Sequence, residues 1–238
     1  MDDLPIIFRD EFLIAVNKPH GLLVHRSAIA ADTDQFAVQI LRDQIGQHVY
    51  PAHRLDRKTA GILLFALNEE VNSLMQQQFQ NGLVDKTYHA IVRGFTPEQL
   101  DIDYPLKKEN GTMQEAFTAM RALLHSEVGF SVGKHPTSRY SLVELKPTTG
   151  RMHQLRKHMA HIFHPIIGDR PYGCNKQNRY FKEQFGVMEM MLHASELSFT
   201  HPMLGSRHEL RAPYQNAFAG MLDLLGFEVG LTFDSPVH

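Results

Sequence analysis

The apolar positions of this chain change period several times, and each change marks a predicted element. Residues 6–8 and 12–16 are short β-branched and aromatic runs separated by a turn-prone Arg9-Asp10-Glu11. They predict two strands joined by a tight turn. Residues 34–45 carry helical spacing. Residues 62–67, Ile-Leu-Leu-Phe-Ala-Leu, are apolar without interruption and predict a buried strand. Asn68 then precedes Glu69 and Glu70, an N-cap with acids in the first turn, and Val71, Leu74, Met75 and Phe79 recur at helical spacing up to Asn81-Gly82. Further strands are predicted over 84–92, 116–124, 140–145, 192–200 and 208–212. Residues 150–163 predict a helix with Met152, Leu155, Met159 and Ile162 on one face, and residues 215–225 a final helix. Strands and helices mix without a regular βαβ alternation, which points to an α+β protein on a mixed, largely antiparallel sheet. No repeat, low-complexity tract or Gly/Ser linker divides the chain, so a single domain over residues 1–238 is expected.

Composition narrows the class. A hydrophobic content of 43% is ample for a core. The chain opens Met1-Asp2-Asp3-Leu4-Pro5, with no secretory or transit pattern, and its apolar runs are too short for a bilayer. A cytoplasmic protein is the expectation. One cysteine, Cys174, excludes an internal disulfide and a Cys-based zinc cluster. The net charge of −2 argues against nucleic acid until its distribution is considered. Residues 134–182 hold ten Lys/Arg and two Asp/Glu, a balance of +8 that leaves −10 for the rest. Such a stretch is either an ordinary solvated face or an electrostatic footprint for phosphates, and its place among helix and loop signals favours the second.

The segment His53-Arg54-Leu55-Asp56-Arg57-Lys58-Thr59-Ala60-Gly61-Ile62 sets one carboxylate between two arginines at the mouth of the buried strand. Burial and a neighbouring cation tune a carboxylate for chemistry, although a turn cap or a structural ion pair would produce the same pattern. Histidines 153, 158, 161 and 164 fall close together, but no acid joins them on the predicted helix and no His-Glu-x-x-His occurs. Phosphate or ribose contacts, or packing, account for them better than a metal does.

The block around Asp56 resembles the active-site motif of the RluA-type pseudouridine synthases. Three more blocks follow the order of that family. They are Asn17-Lys18-Pro19-His20-Gly21-Leu22-Leu23-Val24-His25, then Lys86-Thr87-Tyr88-His89-Ala90, and then Thr149-Gly150-Arg151-Met152-His153-Gln154-Leu155-Arg156-Lys157-His158 with His164-Pro165-Ile166-Ile167-Gly168-Asp169 and Leu192-His193-Ala194. Together they span about residues 5–215. His-Pro-Thr-Ser-Arg-Tyr at 135–140 and Gln177-Asn178-Arg179 in a long insertion resemble the tRNA-modifying branch.

The resemblance implies one bent sheet flanked by helices, with a central active-site cleft and no N-terminal RNA-binding accessory domain. It implies an RNA uridine isomerase working without cofactor or metal, with a T-stem uridine of tRNA as substrate. A ribosomal-RNA uridine is the alternative within the class, and a catalytically silent RNA-binding module lies outside it. The implied roles are Asp56 as catalytic carboxylate, Tyr88 as the plate stacked on the uracil, and Arg156 as the cation paired with Asp56. Leu192 would wall the base pocket. Arg54 would fill the gap left by a flipped base. Arg151, Lys157, Lys176 and Arg179 would contact the RNA. Read from the residues alone, Tyr88 is better taken as a core tyrosine, whereas Arg156, beside Leu155 on the apolar side of the predicted helix, favours a pair over a solvated surface arginine, with Arg151 the next candidate for the pair. Ala60 departs from the family, which often has Ser there, and a packing change is expected.

Overall fold

The computed structural model describes residues 3–25 and 35–228. In chain order its elements are β1 (Ile6–Arg9), β2 (Leu13–Lys18), α1 (Ala37–Ile45), β3 (Tyr50–Pro51), β4 (Ala60–Ala66), α2 (Glu69–Gln80), β5 (Asp85–Arg93), β6 (Gln99–Asp103), β7 (Leu106–Lys107), β8 (Met113–Gln114), β9 (Phe117–Val128), β10 (Ser138–Pro147), α3 (Gln154–His161), α4 (Asn175–Phe185), β11 (Leu192–Thr200), β12 (Arg207–Arg211) and α5 (Asn216–Leu224). The class is α+β, with a large and mostly antiparallel sheet. No helix among the described residues is long and apolar enough to cross a membrane.

The chain clusters into two compact units. The first holds residues up to Lys86 together with Ala194–Pro213. Its strands run β1-β2-β4-β11, with β3 on β4 and β12 on β11. All seven residues of β4 are buried, as an apolar run without alternation requires, and all six of β2 are buried although it ends in Asn17 and Lys18. Asp10 makes the β1–β2 turn by accepting the Phe12 and Leu13 N–H groups, both at 2.7 Å. Asn68 caps α2 by accepting from the Val71 N–H at 2.9 Å, and Val71 and Met75 are buried on the apolar face. Gly61 has φ +107, and a Cβ there would lie 2.2 Å from the Ala194 carbonyl oxygen. Only glycine lets β4 and β11 come this close.

The second unit holds Thr87–His193 and, among the described residues, 214–228. Its strands run β5-β10-β9-β6, all antiparallel, beside a β7–β8 ribbon. Ile91, Val92, Leu142, Val143, Met159, Ile166, Phe181 and Phe218 belong to its core.

Two helices differ from the expectation. The first predicted helix begins at Ala37; the expected start, Asp34, lies outside the described residues. The helix expected from Gly150 begins only at Gln154, preceded by His153 in a left-handed conformation (φ 57°). Gln154 explains the delay. Its Oε1 accepts from the Thr149 hydroxyl (2.6 Å) and the Arg151 N–H (3.1 Å), while its Nε2 donates to the Phe117 carbonyl (2.9 Å) and to Thr118 Oγ1 (3.0 Å). These bonds hold 149–153 as a loop, and Met152, expected on the buried face, is exposed. Helix α4 was not foreseen at all.

Candidate active site

Asp56 lies in the loop between β3 and β4 and is half-buried. Its carbonyl accepts the Thr59 N–H at 3.0 Å, closing a turn over Arg57 and Lys58. The loop is tied to the end of β2 from two sides. The Gly21 N–H donates to the Arg57 carbonyl (2.8 Å), and Arg57 Nε donates to the Gly21 carbonyl (3.0 Å). Lys18 makes the third tie. It is 0% exposed, and its ammonium donates to the carbonyls of Pro19 (2.9 Å), Leu22 (2.9 Å) and Arg57 (3.3 Å). Burial pushes Lys18 down from the ordinary lysine range to about 7, while the Asp56 carboxylate acts in the opposite direction. One buried cation therefore shapes the Asp56 loop and sits within electrostatic reach of its carboxylate.

Lys18→Met keeps the length of the side chain and removes its donors. It should loosen the Asp56 loop, read as faster amide hydrogen exchange at residues 56–59. The pH dependence gives an independent check. The folded state releases the Lys18 proton near 7, and the unfolded chain holds it to about 10.4. Above about 7 the unfolded state therefore binds more protons, and this group makes stability rise with pH up to that limit. Unfolding free energies of wild type and Lys18→Met, compared across that window, should differ by this slope; parallel curves would exclude it.

His53 is structural. Its Nε2 accepts the Leu64 N–H at 3.1 Å, its ring stacks on Phe79, and burial, aided by Lys86, lowers it to about 4. Arg54 next to it is exposed.

In the second unit, Arg156 on α3 is 5% exposed and grips Asp169, itself 1% exposed, with both arms of its fork: Nε to Oδ2 at 2.8 Å and Nη2 to Oδ1 at 2.9 Å. Tyr172 lies beside the pair, its ring centroid 5.1 Å from Arg156 Cζ and 6.0 Å from Lys157 Nζ. Asp169 is fixed in turn. Asn178 on α4 donates to the Asp169 carbonyl (2.8 Å) and accepts the Gly168 N–H (2.9 Å). Gly168 has φ +80, and a Cβ there would meet the Glu189 carbonyl oxygen at 1.9 Å. The Gly-Asp pair thus orients Arg156.

Tyr88 is half-buried on β5, opposite Leu145 of β10, and packs against the core of the unit. Leu192 is buried in that core. Arg151 is tied down through Nε to the Glu115 carbonyl at 3.0 Å. Helix α4 docks through buried Phe181 and Gln177, the latter accepting from the Tyr140 hydroxyl at 2.6 Å. This docking turns Lys176, Arg179 and Lys182 outward. Arg179 and Lys182, with Arg170, line a cleft of about 490 Å3 whose floor includes Ile167, Phe181 and Val187 and whose rim includes Glu183 and Glu189. Arg170, Lys176, Arg179 and Lys182 are exposed and make no ion pair among the described residues.

The clustered histidines are each accounted for within the protein. His158 is buried between Thr118 Oγ1 and the Tyr104 carbonyl (both 3.0 Å), His161 stacks on Tyr104, His164 bonds the Arg93 carbonyl and His153 bonds the Tyr172 hydroxyl. Among the described residues no three His, Cys, Asp or Glu side chains gather as a metal-binding group.

Two residues of the site were given no role by the sequence. Lys18 stood in the N-terminal block, and the signal was a lysine closing a run of buried strand positions. Asp169 stood in the Gly-Asp block, and the signal was one of only two acids in a strongly basic stretch.

The chain is similar in sequence and fold to known proteins. The family described as RNA pseudouridylate synthase matches residues 12–161. The tRNA pseudouridine synthase C of Vibrio cholerae serotype O1 is 46% identical over 243 residues, covering 98% of this chain and 100% of that protein. The tRNA pseudouridine synthase C of Haemophilus ducreyi is 52% identical over 210 residues, covering 84% and 86%. Among solved structures, human RNA Pseudouridylate Synthase Domain Containing 1 superposes with a TM-score of 0.72 at 25% identity, over 89% of this chain and 84% of that one. Human RNA Pseudouridylate Synthase Domain Containing 4, at 24% identity, shares the fold with a TM-score of 0.74, over 94% of each chain. A family match across most of the chain and identity near one half over its whole length lead to one conclusion: the chain belongs to the RluA-type RNA pseudouridylate synthase family.

Proposed function

We propose that this protein isomerises uridine to pseudouridine in tRNA, at T-stem position 65. The supporting observation is the Asp56 loop, whose backbone is held by a buried lysine, in a chain whose relatives are named tRNA pseudouridine synthase C. The reaction breaks the bond from the sugar to the uracil nitrogen, turns the detached ring, and joins the sugar to carbon 5. The hydrogen on carbon 5 leaves as a proton, so no electrons are gained or lost. Asp56 acts on the uridine as nucleophile or base. Arg156, oriented by Asp169, is the cation proposed to serve Asp56, and Tyr88 is the plate that retains the free uracil. Arg54 takes the place of the extruded base. Leu192 contributes to the wall of the base pocket, and Arg151, Lys157, Lys176 and Arg179 meet the phosphates. The whole chain acts as one catalytic domain, and its work is cytoplasmic.

The test is to map pseudouridine in tRNA and ribosomal RNA from cells lacking the protein. Loss confined to T-stem position 65 of tRNA supports the proposal. Loss confined to ribosomal RNA replaces the substrate, and unchanged maps refute the activity.

A further inference from the structure

We propose that Phe163 is a stacking platform for an unpaired nucleobase of the substrate RNA, separate from the reacting uridine; this rests on the RNA reading above. Phe163 follows the C-terminus of α3. Its N–H donates to the Ala160 carbonyl at 3.1 Å, and the next N–H, of His164, donates to the Met159 carbonyl at 2.9 Å. This pair of bonds is a Schellman motif, which places Phe163 in the left-handed region at φ 64. Glycine normally holds that position because a Cβ is strained there. An aromatic residue with φ above zero is an outlier that asks for a reason.

Packing does not supply the reason. The Phe163 side chain is 87% exposed. The fold therefore accepts backbone strain and gains no burial from the ring.

The surroundings fix the backbone that carries the ring. Before it, His161 stacks on the exposed Tyr104 ring, with centroids 3.6 Å apart and planes 15° from parallel. Buried His158 fixes the Tyr104 carbonyl at 3.0 Å. After it, His164 Nδ1 bonds the Arg93 carbonyl at 2.9 Å, and the Arg93 N–H donates to the Pro165 carbonyl at 3.0 Å. A backbone fixed at both ends has no main-chain freedom left to lose on contact, and a phenyl side chain has only two torsions to order. Phe163 also lies inside the stretch 134–182, with its ten cations and two acids. Exposed aromatic planes interleaved with cations are what unpaired bases stack upon, and stacking works for every base because each has a π-face.

Phe163→Gly separates fold from function. Glycine suits the left-handed position, so the variant should melt no lower than wild type. Its affinity for unmodified tRNA should fall about tenfold, with KM raised and kcat nearly kept. Phe163→Tyr should retain the affinity and Phe163→Leu should not. Because stacking releases few counterions, the loss should be similar at every salt concentration, whereas Lys176→Glu with Arg179→Glu should flatten the salt dependence. A Phe163→Gly enzyme with wild-type KM and affinity overturns the proposal. A changed molecular mass in sedimentation with unchanged RNA affinity does so as well, by assigning the ring to a second copy of the chain. If wild type releases no tritium from 5-tritiated uridine in any RNA, the underlying reading has failed and not the placement of Phe163.

Discussion

Asp56→Asn should abolish turnover and leave folding and tRNA binding close to wild type. The substitution removes a charge and keeps the shape, and the loop is held by backbone carbonyls: those of Pro19, Leu22 and Arg57 receive the Lys18 ammonium, and that of Asp56 receives the Thr59 N–H. None of these bonds needs the carboxylate. A loss of activity without a loss of structure is therefore the expected signature, read as tritium release from 5-tritiated uridine in tRNA beside a melting curve. Release at near the wild-type rate would remove Asp56 from the chemistry.

Arg156→Ala carries the second large effect, and it combines stability with activity. Removing the guanidinium leaves Asp169 as an unpaired carboxylate at 1% exposure, which costs ~3–5 kcal/mol for a buried pair broken on one side. Arg156→Lys keeps the charge but cannot grip both Asp169 oxygens, so it should also lose much of its activity while folding better than the alanine variant. Replacing both partners together should cost less stability than Arg156→Ala alone, because no charge is then stranded. Urea unfolding of the three variants measures this. A stable Arg156→Ala protein would show that the fork contributes nothing to the fold. A fully active Arg156→Lys protein would show that its geometry is not needed for catalysis.

The elements that were legible in the sequence are those whose burial leaves a period. β4 lacks polar interruptions and is buried along its whole length. Helix α2 announces itself by Asn68, which caps it as expected. β11 runs from Leu192 to Thr200, as its pattern implied. The misses share a cause: a side chain makes contacts that no local pattern encodes. Gln154 looks like an ordinary helix residue, yet its amide reaches Phe117 and Thr118 and holds the preceding loop out of the helix. Helix α4 buries only Gln177 and Phe181, too sparse an apolar stripe to read. β6, β7 and β8 are short and mostly exposed. In the site, the family blocks supplied Asp56, Tyr88 and Arg156 by resemblance. The partner at Asp169 depends on a turn through Gly168, and the burial of Lys18 depends on carbonyls brought from position 57, far along the chain.

The closeness of β4 to β11 at Gly61 bears on how variation in this protein is interpreted. A missense change at position 61 drives a side chain into the Ala194 backbone and unseats the strand that leads out of the Asp56 loop. In a survey scored by tRNA modification alone, position 61 would behave like a catalytic residue, although glycine has no side chain to offer a substrate. Scoring cellular abundance alongside modification separates the two kinds of loss: Gly61 variants disappear with the protein, and Asp56 variants persist without activity.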